Sequence, residues 1–85
     1  MPITADPGDI DILVVDDEKD VVEVVGHFLE EEGYTVHTAY DGEEALEMAS
    51  GDVDLIVLDI MLPGVDGYEV CRKLRSRVET EEIPI

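Results

Sequence analysis

Two short apolar runs that each end in acidic residues constrain the fold of this chain most strongly. Residues 12–15 read ILVV and precede the acidic run at 16–18, while residues 55–58 read LIVL and precede Asp59. Apolar runs of this length without alternation are typical of strands that are buried on both faces of a parallel sheet. The sequence therefore predicts two interior strands whose carboxyl ends carry carboxylates.

A first helix is predicted over residues 19–32. Its apolar residues recur at helical spacing and are expected to share one buried face: Val21, Val22, Val25, Phe28 and Leu29. Gly33 is expected to end the helix, because glycine adopts the left-handed backbone of a helix C-cap at low cost. Residues 34–39 read YTVHTA, an alternating pattern that predicts a second strand.

Two further helices are predicted downstream. The Asp-Gly pair at 41–42 predicts a turn ahead of a helix over residues 43–50, which Gly51 would end. A third helix is expected to take Asp66 as its N-cap. Its apolar residues predict one buried face: Val70, Cys71, Leu74 and Val78.

The order of these elements predicts the fold class. Strands and helices alternate from residue 10 onward, and residues 83–85 read as the start of a fourth strand. Because crossovers between parallel strands are right-handed, such a series places helices on both faces of one sheet. We predict an α/β, doubly wound parallel sheet over residues 10–85, preceded by a disordered leader at 1–9 that contains proline and glycine.

Acidic residues dominate the chain and disfavour some partners. Its 23 acids and five bases give a formal net charge of −18, and Lys19 is the single base among residues 1–71. DNA and anionic membranes are poor partners for such a chain. The bases at 72–77 are interpreted as a solvated helix face rather than a nucleic-acid patch. Adaptation to high salt and an ordinary acidic protein both fit this composition.

Targeting and redox features predict a cytoplasmic location. The first residues lack the basic region and long apolar run of a signal peptide. No stretch approaches the roughly 20 apolar residues that a membrane span requires. The single cysteine, Cys71, suits a reducing compartment and is expected to pack in the core.

The two histidines are not predicted to act in catalysis. His27 is expected on the surface of the first helix, and His37 on an edge strand with partial exposure. Their spacing from each other and from the cysteine does not match a zinc site.

The acids at the two strand ends form the candidate site. Ligands in open parallel sheets bind beyond the carboxyl ends of the strands, so Asp16, Asp17 and Asp59 converge if the first and third strands are neighbours. Two carboxylates about 5 Å apart repel by roughly 3 kcal/mol at an effective dielectric near 20. Mg²⁺ relieves such repulsion through oxygen ligands and suits phosphoryl transfer, with Asp59 as the nucleophile. Alternatively, each acid is a solvated strand end or helix cap.

Three motifs together resemble the receiver domain of two-component response regulators. Residues 13–18 read LVVDDE, residues 55–70 read LIVLDIMLPGVDGYEV, and residues 83–85 read IPI. The resemblance covers residues 10–85 and implies a flavodoxin-like (CheY-like) sheet. It implies that Asp59 accepts a phosphoryl group from a sensor histidine kinase, a phosphotransfer protein or a small phosphodonor. It also implies Mg²⁺ as the cofactor, with four ligands: Asp16, Asp17, Asp59 and the backbone carbonyl of Met61.

The resemblance covers only part of the family's pattern, with three βα units and the start of a fourth strand, so we predict an incomplete, truncated sheet. The family's phosphoryl-contacting Ser or Thr and Lys would lie beyond residue 85. We expect a signalling switch rather than an enzyme on outside substrates. The alternative is a phosphorylation-deficient binding module, or a homodimer that pairs through the exposed edge of the third strand. A metal-dependent phosphohydrolase is disfavoured, because Met61 stands where its general acid Asp is wanted.

Overall fold

Three parallel strands form the sheet. The computed structural model describes residues 7–59 and 67–85. The strands are β1 (Asp11–Val15), β2 (Thr35–Ala39) and β3 (Leu55–Leu58). They lie in the order β2-β1-β3, and both pairings are parallel. The predicted α/β fold is confirmed, and the first and third strands are neighbours.

The central strand β1 is buried because apolar side chains cover both of its faces. Ile12 and Val14 join the core on one face, and Leu13 and Val15 join the core on the other. Each of these four side chains is at most 2% exposed. β-Branched and leucine side chains suit such a position, since they pack well on a pleated surface.

The strand β3 borders the sheet within the described residues, although the sequence predicted an interior strand. Its Val57 side chain is 40% exposed. On the outer side of β3, the Ile56 N–H donates to the Pro84 carbonyl at 3.0 Å. Residues 83–85 thus run beside β3 as their pattern predicted, but the described chain forms no assigned strand there.

Three helices cover the two faces of the sheet: α1 (Lys19–Glu31), α2 (Gly42–Met48) and α3 (Gly67–Arg75). Side chains of α1 pack with Ile12 and Val14, whereas those of α2 and α3 pack with Leu13 and Val15. This division confirms the predicted doubly wound arrangement. None of the helices within the described ranges is long and apolar enough to cross a membrane.

The predicted end of α1 at Gly33 is confirmed, whereas α2 begins at Gly42, inside the turn predicted at 41–42. Gly33 follows the end of α1 with a φ of 98°, the left-handed conformation that favours glycine. Asp41 is the N-cap of α2, and its side chain accepts a hydrogen bond from the Glu44 N–H at 2.7 Å. The Glu44 carboxylate in turn accepts the Tyr40 N–H at 3.1 Å, so two backbone donors at this end are satisfied.

The buried face of α1 is narrower than the sequence predicted. Val22 is buried, and Val25 and Leu29 are partly buried against the sheet. By contrast, Phe28 is 64% exposed and Val21 is 37% exposed. Adjacent helical residues point about 100° apart, so one line of contact with the sheet buries only one member of each adjacent apolar pair.

Both later helices end earlier than expected. α2 ends at Met48, because Ala49 has extended backbone angles, and Gly51 therefore does not end it. α3 ends at Arg75, and Val78 lies beyond it with 86% exposure, so Val78 is not on a buried helical face.

Hydrogen bonds to α3 explain the course of the chain beyond its last turn. The buried Thr80 hydroxyl donates to the Leu74 carbonyl at 2.6 Å. The Arg75 guanidinium donates to the carbonyls of Glu81 and Ile83, each at 2.7 Å. These bonds hold the residues at 80–83 folded back against α3, so the helix does not continue past Arg75. The predicted N-cap of this helix, Asp66, lies outside the described residues.

The last three residues of the predicted leader have assigned secondary structure. Pro7–Asp9 form a short 3-10 helix. The Thr35 hydroxyl of β2 donates to the Gly8 carbonyl at 2.9 Å. The segment is therefore attached to the amino end of the sheet, while residues 1–6 lie outside the described chain.

Candidate functional site

The register of the sheet brings the acids of two strands to one edge. Val15 pairs with Leu58 across β1 and β3, so Asp16 and Asp59 follow the two strands side by side. The Asp59 N–H donates to the Val15 carbonyl at 3.0 Å, and the Asp16 N–H donates to the Ala39 carbonyl at 3.2 Å. The ladder of hydrogen bonds therefore continues one residue past the strands and holds both backbones in place.

Three carboxylates meet at this edge. One oxygen from each of Asp16, Asp17 and Asp59 lies within 4.8 Å of the other two. Asp16 and Asp59 are half-buried, whereas Asp17 is exposed. Asp16 also accepts the Glu18 N–H at 3.0 Å, which closes the turn into α1. The structure thus brings together the three acids that the sequence singled out, while their roles stay predictions.

The donor set suits a hard divalent cation. Carboxylate oxygens are ligands that Mg²⁺ accepts while it keeps several waters. A metal site of this kind needs at least three acidic, histidine or cysteine side chains close together. Among the described residues, these three carboxylates meet that condition. The fourth predicted ligand, the Met61 carbonyl, lies outside the described ranges.

The histidines lie apart from this edge. His27 is on the surface of α1, where its Nε2 is 3.1 Å from a carboxylate oxygen of Glu31. His37 is on the edge strand β2, and its Nε2 is 2.8 Å from a carboxylate oxygen of Asp11, at the amino end of the sheet. Both predicted positions are confirmed. An open cavity of about 700 Å³ lies beside His37, remote from the three clustered carboxylates.

One contact near the three carboxylates was not foreseen from the sequence. The Lys19 ammonium lies 5.6 Å from the centroid of the Tyr40 ring. Tyr40 directly follows β2, next to the Ala39 carbonyl that holds Asp16. No spacing rule along the chain relates residues 19 and 40. The acidic run at 16–18, just before α1, was the sequence signal nearest to this contact.

Comparison with known proteins identifies the family. Residues 12–85 match the profile of the response regulator receiver domain. The chain is 57% identical over 67 residues to the alkaline phosphatase synthesis transcriptional regulatory protein PhoP of Bacillus subtilis, and the match covers 78% of this chain and 28% of that protein. The chain thus spans little more than a quarter of the length of this curated relative.

Solved structures agree with this match. The chemotaxis response regulator CheY4 of Vibrio cholerae superposes with a TM-score of 0.82 at 34% identity, over 89% of this chain and 64% of that one. The response regulator TrrA of Thermotoga maritima, solved in complex with Mg²⁺-BeF, superposes with a TM-score of 0.75 at 42% identity, over 82% of this chain and 62% of that one. The fold, the acidic edge and these matches together place the chain in the family of response regulator receiver domains of two-component systems.

Proposed function

We propose that this receiver domain is a phosphoacceptor and that Asp59 takes the phosphoryl group in a magnesium-dependent reaction. The observation that carries this proposal is the convergence of Asp16, Asp17 and Asp59 within 4.8 Å at the carboxyl edge of a parallel sheet. Packing alone does not favour three carboxylates at this distance, since like charges repel. A site that binds a cation and then an anionic group accounts for them.

Each acid has a separate part in this proposal. Asp16 and Asp17 would hold Mg²⁺ together with Asp59 and the carbonyl of Met61. When bound, Mg²⁺ neutralises negative charge on the transferring group. Asp59 is the nucleophile, because it directly follows β3 and its backbone is held by the Val15 carbonyl. Its side chain is half-buried at the carboxyl edge of the sheet.

The transfer conserves charge and atoms. A carboxylate oxygen of Asp59 forms a bond to phosphorus, and the bond from phosphorus to the leaving group breaks. The electron pair of that bond departs with the leaving group, which is acetate for acetyl phosphate and neutral imidazole for a phosphohistidine whose other ring nitrogen carries a proton. Response regulators are signalling proteins, so the product is a modified state of this domain rather than a released metabolite.

The proposed protein partner is a sensor histidine kinase or a phosphotransfer protein. Receiver domains as a family interact with such proteins. A nucleic acid is a poor partner for this domain, because a net charge of −18 repels a polyanion.

Intact-mass spectrometry after incubation with acetyl phosphate and MgCl₂ tests this function. We expect a single phosphoryl adduct that requires Mg²⁺ and is absent from Asp59→Asn. Asp52→Asn is the matched control, because Asp52 is an exposed acid that precedes β3 at the other edge of the sheet. An adduct that persists in Asp59→Asn would contradict the assignment.

A second candidate function is a binding or dimerisation module. The observation that favours it is the outer edge of β3, beside which the described residues form no assigned strand beyond the contact of Ile56 with Pro84. Edges of this kind pair with other chains. A folded chain that forms no adduct, and that runs as a dimer in size-exclusion chromatography with light scattering, would support this candidate over phosphorylation.

A further inference from the structure

The carboxyl edge of the sheet presents an electrostatic problem for the proposed reaction. Beyond the three clustered carboxylates, exposed acids surround this edge: Glu18, Asp20, Asp41 and Glu43. A phosphodonor is itself an anion, so these acids repel it as it approaches. A cation beside the site would lower that barrier.

Lys19 is positioned to supply this positive charge. It is the only base among residues 1–71, and it is the first residue of α1. A cation is unfavourable there, because the amino end of a helix carries partial positive charge. The residue type is therefore not explained by helix stability.

The Lys19 side chain reaches towards the carboxyl end of β2, which lies on the opposite side of β1 from β3 and Asp59. Its ammonium lies 5.6 Å from the centroid of the Tyr40 ring, within the range of a cation–π contact. The peptide group between Ala39 and Tyr40 is held at both of its polar atoms: the Tyr40 N–H donates to Glu44, and the Ala39 carbonyl accepts the Asp16 N–H. Tyr40 thus holds the cation next to the strand end that carries Asp16.

We propose that Lys19 is a positioning residue for anionic phosphodonors. The inference rests on the proposed phosphorylation of Asp59 and adds a determinant of its rate. The Lys19 ammonium attracts the phosphate of the donor towards the acidic edge, and the Tyr40 ring keeps that charge in place. Lys19 forms no bond to phosphorus and accepts no proton.

The test compares rates of adduct formation with acetyl phosphate at saturating Mg²⁺ in low and high salt. We expect Lys19→Gln to slow the reaction about three- to five-fold at low ionic strength, because the variant loses the attraction between one unit charge and a small anion. In 1 M KCl the difference should vanish, because the screening length falls to about 3 Å. Lys19→Arg should restore the rate, since it restores the charge.

Lys73→Gln is the matched control, because it removes the same charge from the exposed face of α3, where Lys73 lies 3.7 Å from Glu69. The inference is overturned if Lys19→Gln reacts at the wild-type rate, or if Lys73→Gln slows the reaction equally. A salt-independent loss would also overturn it, since this indicates a structural role. A wild-type chain that forms no adduct would overturn the proposed function and this inference with it.

Discussion

At the scale of single residues, the three clustered acids work against the stability of the fold. Asp16, Asp17 and Asp59 present oxygens within 4.8 Å of one another. Without a cation these charges repel, and a bound cation removes the repulsion. Functional sites commonly carry such a destabilising arrangement. Of the three acids, Asp17 is the best one to substitute in an experiment, because its side chain is exposed and its removal leaves the buried core unchanged.

We predict that Asp17→Asn has opposite effects on stability and on metal binding. In EDTA the variant should be more stable than wild type by about 0.5–1 kcal/mol, or roughly 3–6 °C in Tm for a domain of this size. Its Mg²⁺ affinity, measured by calorimetry, should fall about ten-fold or more. Asp52→Asn controls for net charge, and equal effects of both variants would contradict the idea of a localised site.

At the scale of secondary-structure elements, the short helix α2 and the segment after α3 depend on specific polar contacts. α2 has only seven residues, so its own propensity contributes little stability. Beyond α3, the Arg75 guanidinium bonds to the carbonyls of Glu81 and Ile83. Arg75, whose side chain was predicted to lie on a solvated helix face, thus holds the residues at 83–85 that run beside β3.

The N-cap of α2 should contribute measurably to stability. Asp41→Ala removes the 2.7 Å bond from the Glu44 N–H, and such caps contribute about 0.5–2 kcal/mol. Urea denaturation should show this loss, while Asp41→Asn should retain most of the stability. Glu43→Ala is the control, because Glu43 is an exposed acid in the first turn of the same helix. A loss as large in the control would argue against the cap.

Arg75 should hold the residues that follow α3. Arg75→Gln removes the paired donors and should cost about 1–2 kcal/mol of unfolding free energy. Hydrogen exchange should accelerate at the Ile83 amide, which donates to the Thr80 carbonyl, and at the Ile56 amide, which donates to Pro84. Arg72→Gln, on the same helix and exposed, should change neither quantity. Unchanged exchange in Arg75→Gln would contradict the proposed anchoring.

At the scale of the whole molecule, charge is the dominant feature. The formal charge of −18 is carried by residues 1–71, which sum to −19, whereas residues 72–85 sum to +1. Self-repulsion of this kind opposes compact structure and is screened by salt. The basic segment offsets little of it, because its four bases and three acids sum to only +1.

We therefore predict that KCl stabilises this protein. Between 0.1 M and 1 M the screening length falls from about 10 Å to 3 Å, so the thermal midpoint followed by circular dichroism should rise. Sucrose at matched viscosity controls for general solute effects. A midpoint that is flat or falls with KCl would contradict the interpretation as an adaptation to high salt.

The sequence by itself determined the order of the elements, the parallel sheet and the acids at its carboxyl edge. Each depends on short-range patterns: the unbroken apolar runs before Asp16 and Asp59, and the Gly33 C-cap. The carboxyl ends of parallel strands lie at one edge of a sheet, so the acids were predicted to converge if the first and third strands are neighbours, as they are. The motifs at residues 13–18 and 55–70 were sufficient to indicate the family that comparison confirmed.

Only the tertiary structure decided which arc of each helix is buried and which distant side chains meet. Val22 is buried and Phe28 exposed because packing sets the rotation of α1 about its axis, which periodicity leaves free over a broad arc. The contact of Lys19 with Tyr40 and the bonds of Arg75 join residues that no local pattern relates. Long-range contacts depend on how elements are placed against the sheet, and that placement is a property of the whole packed core rather than of any one segment.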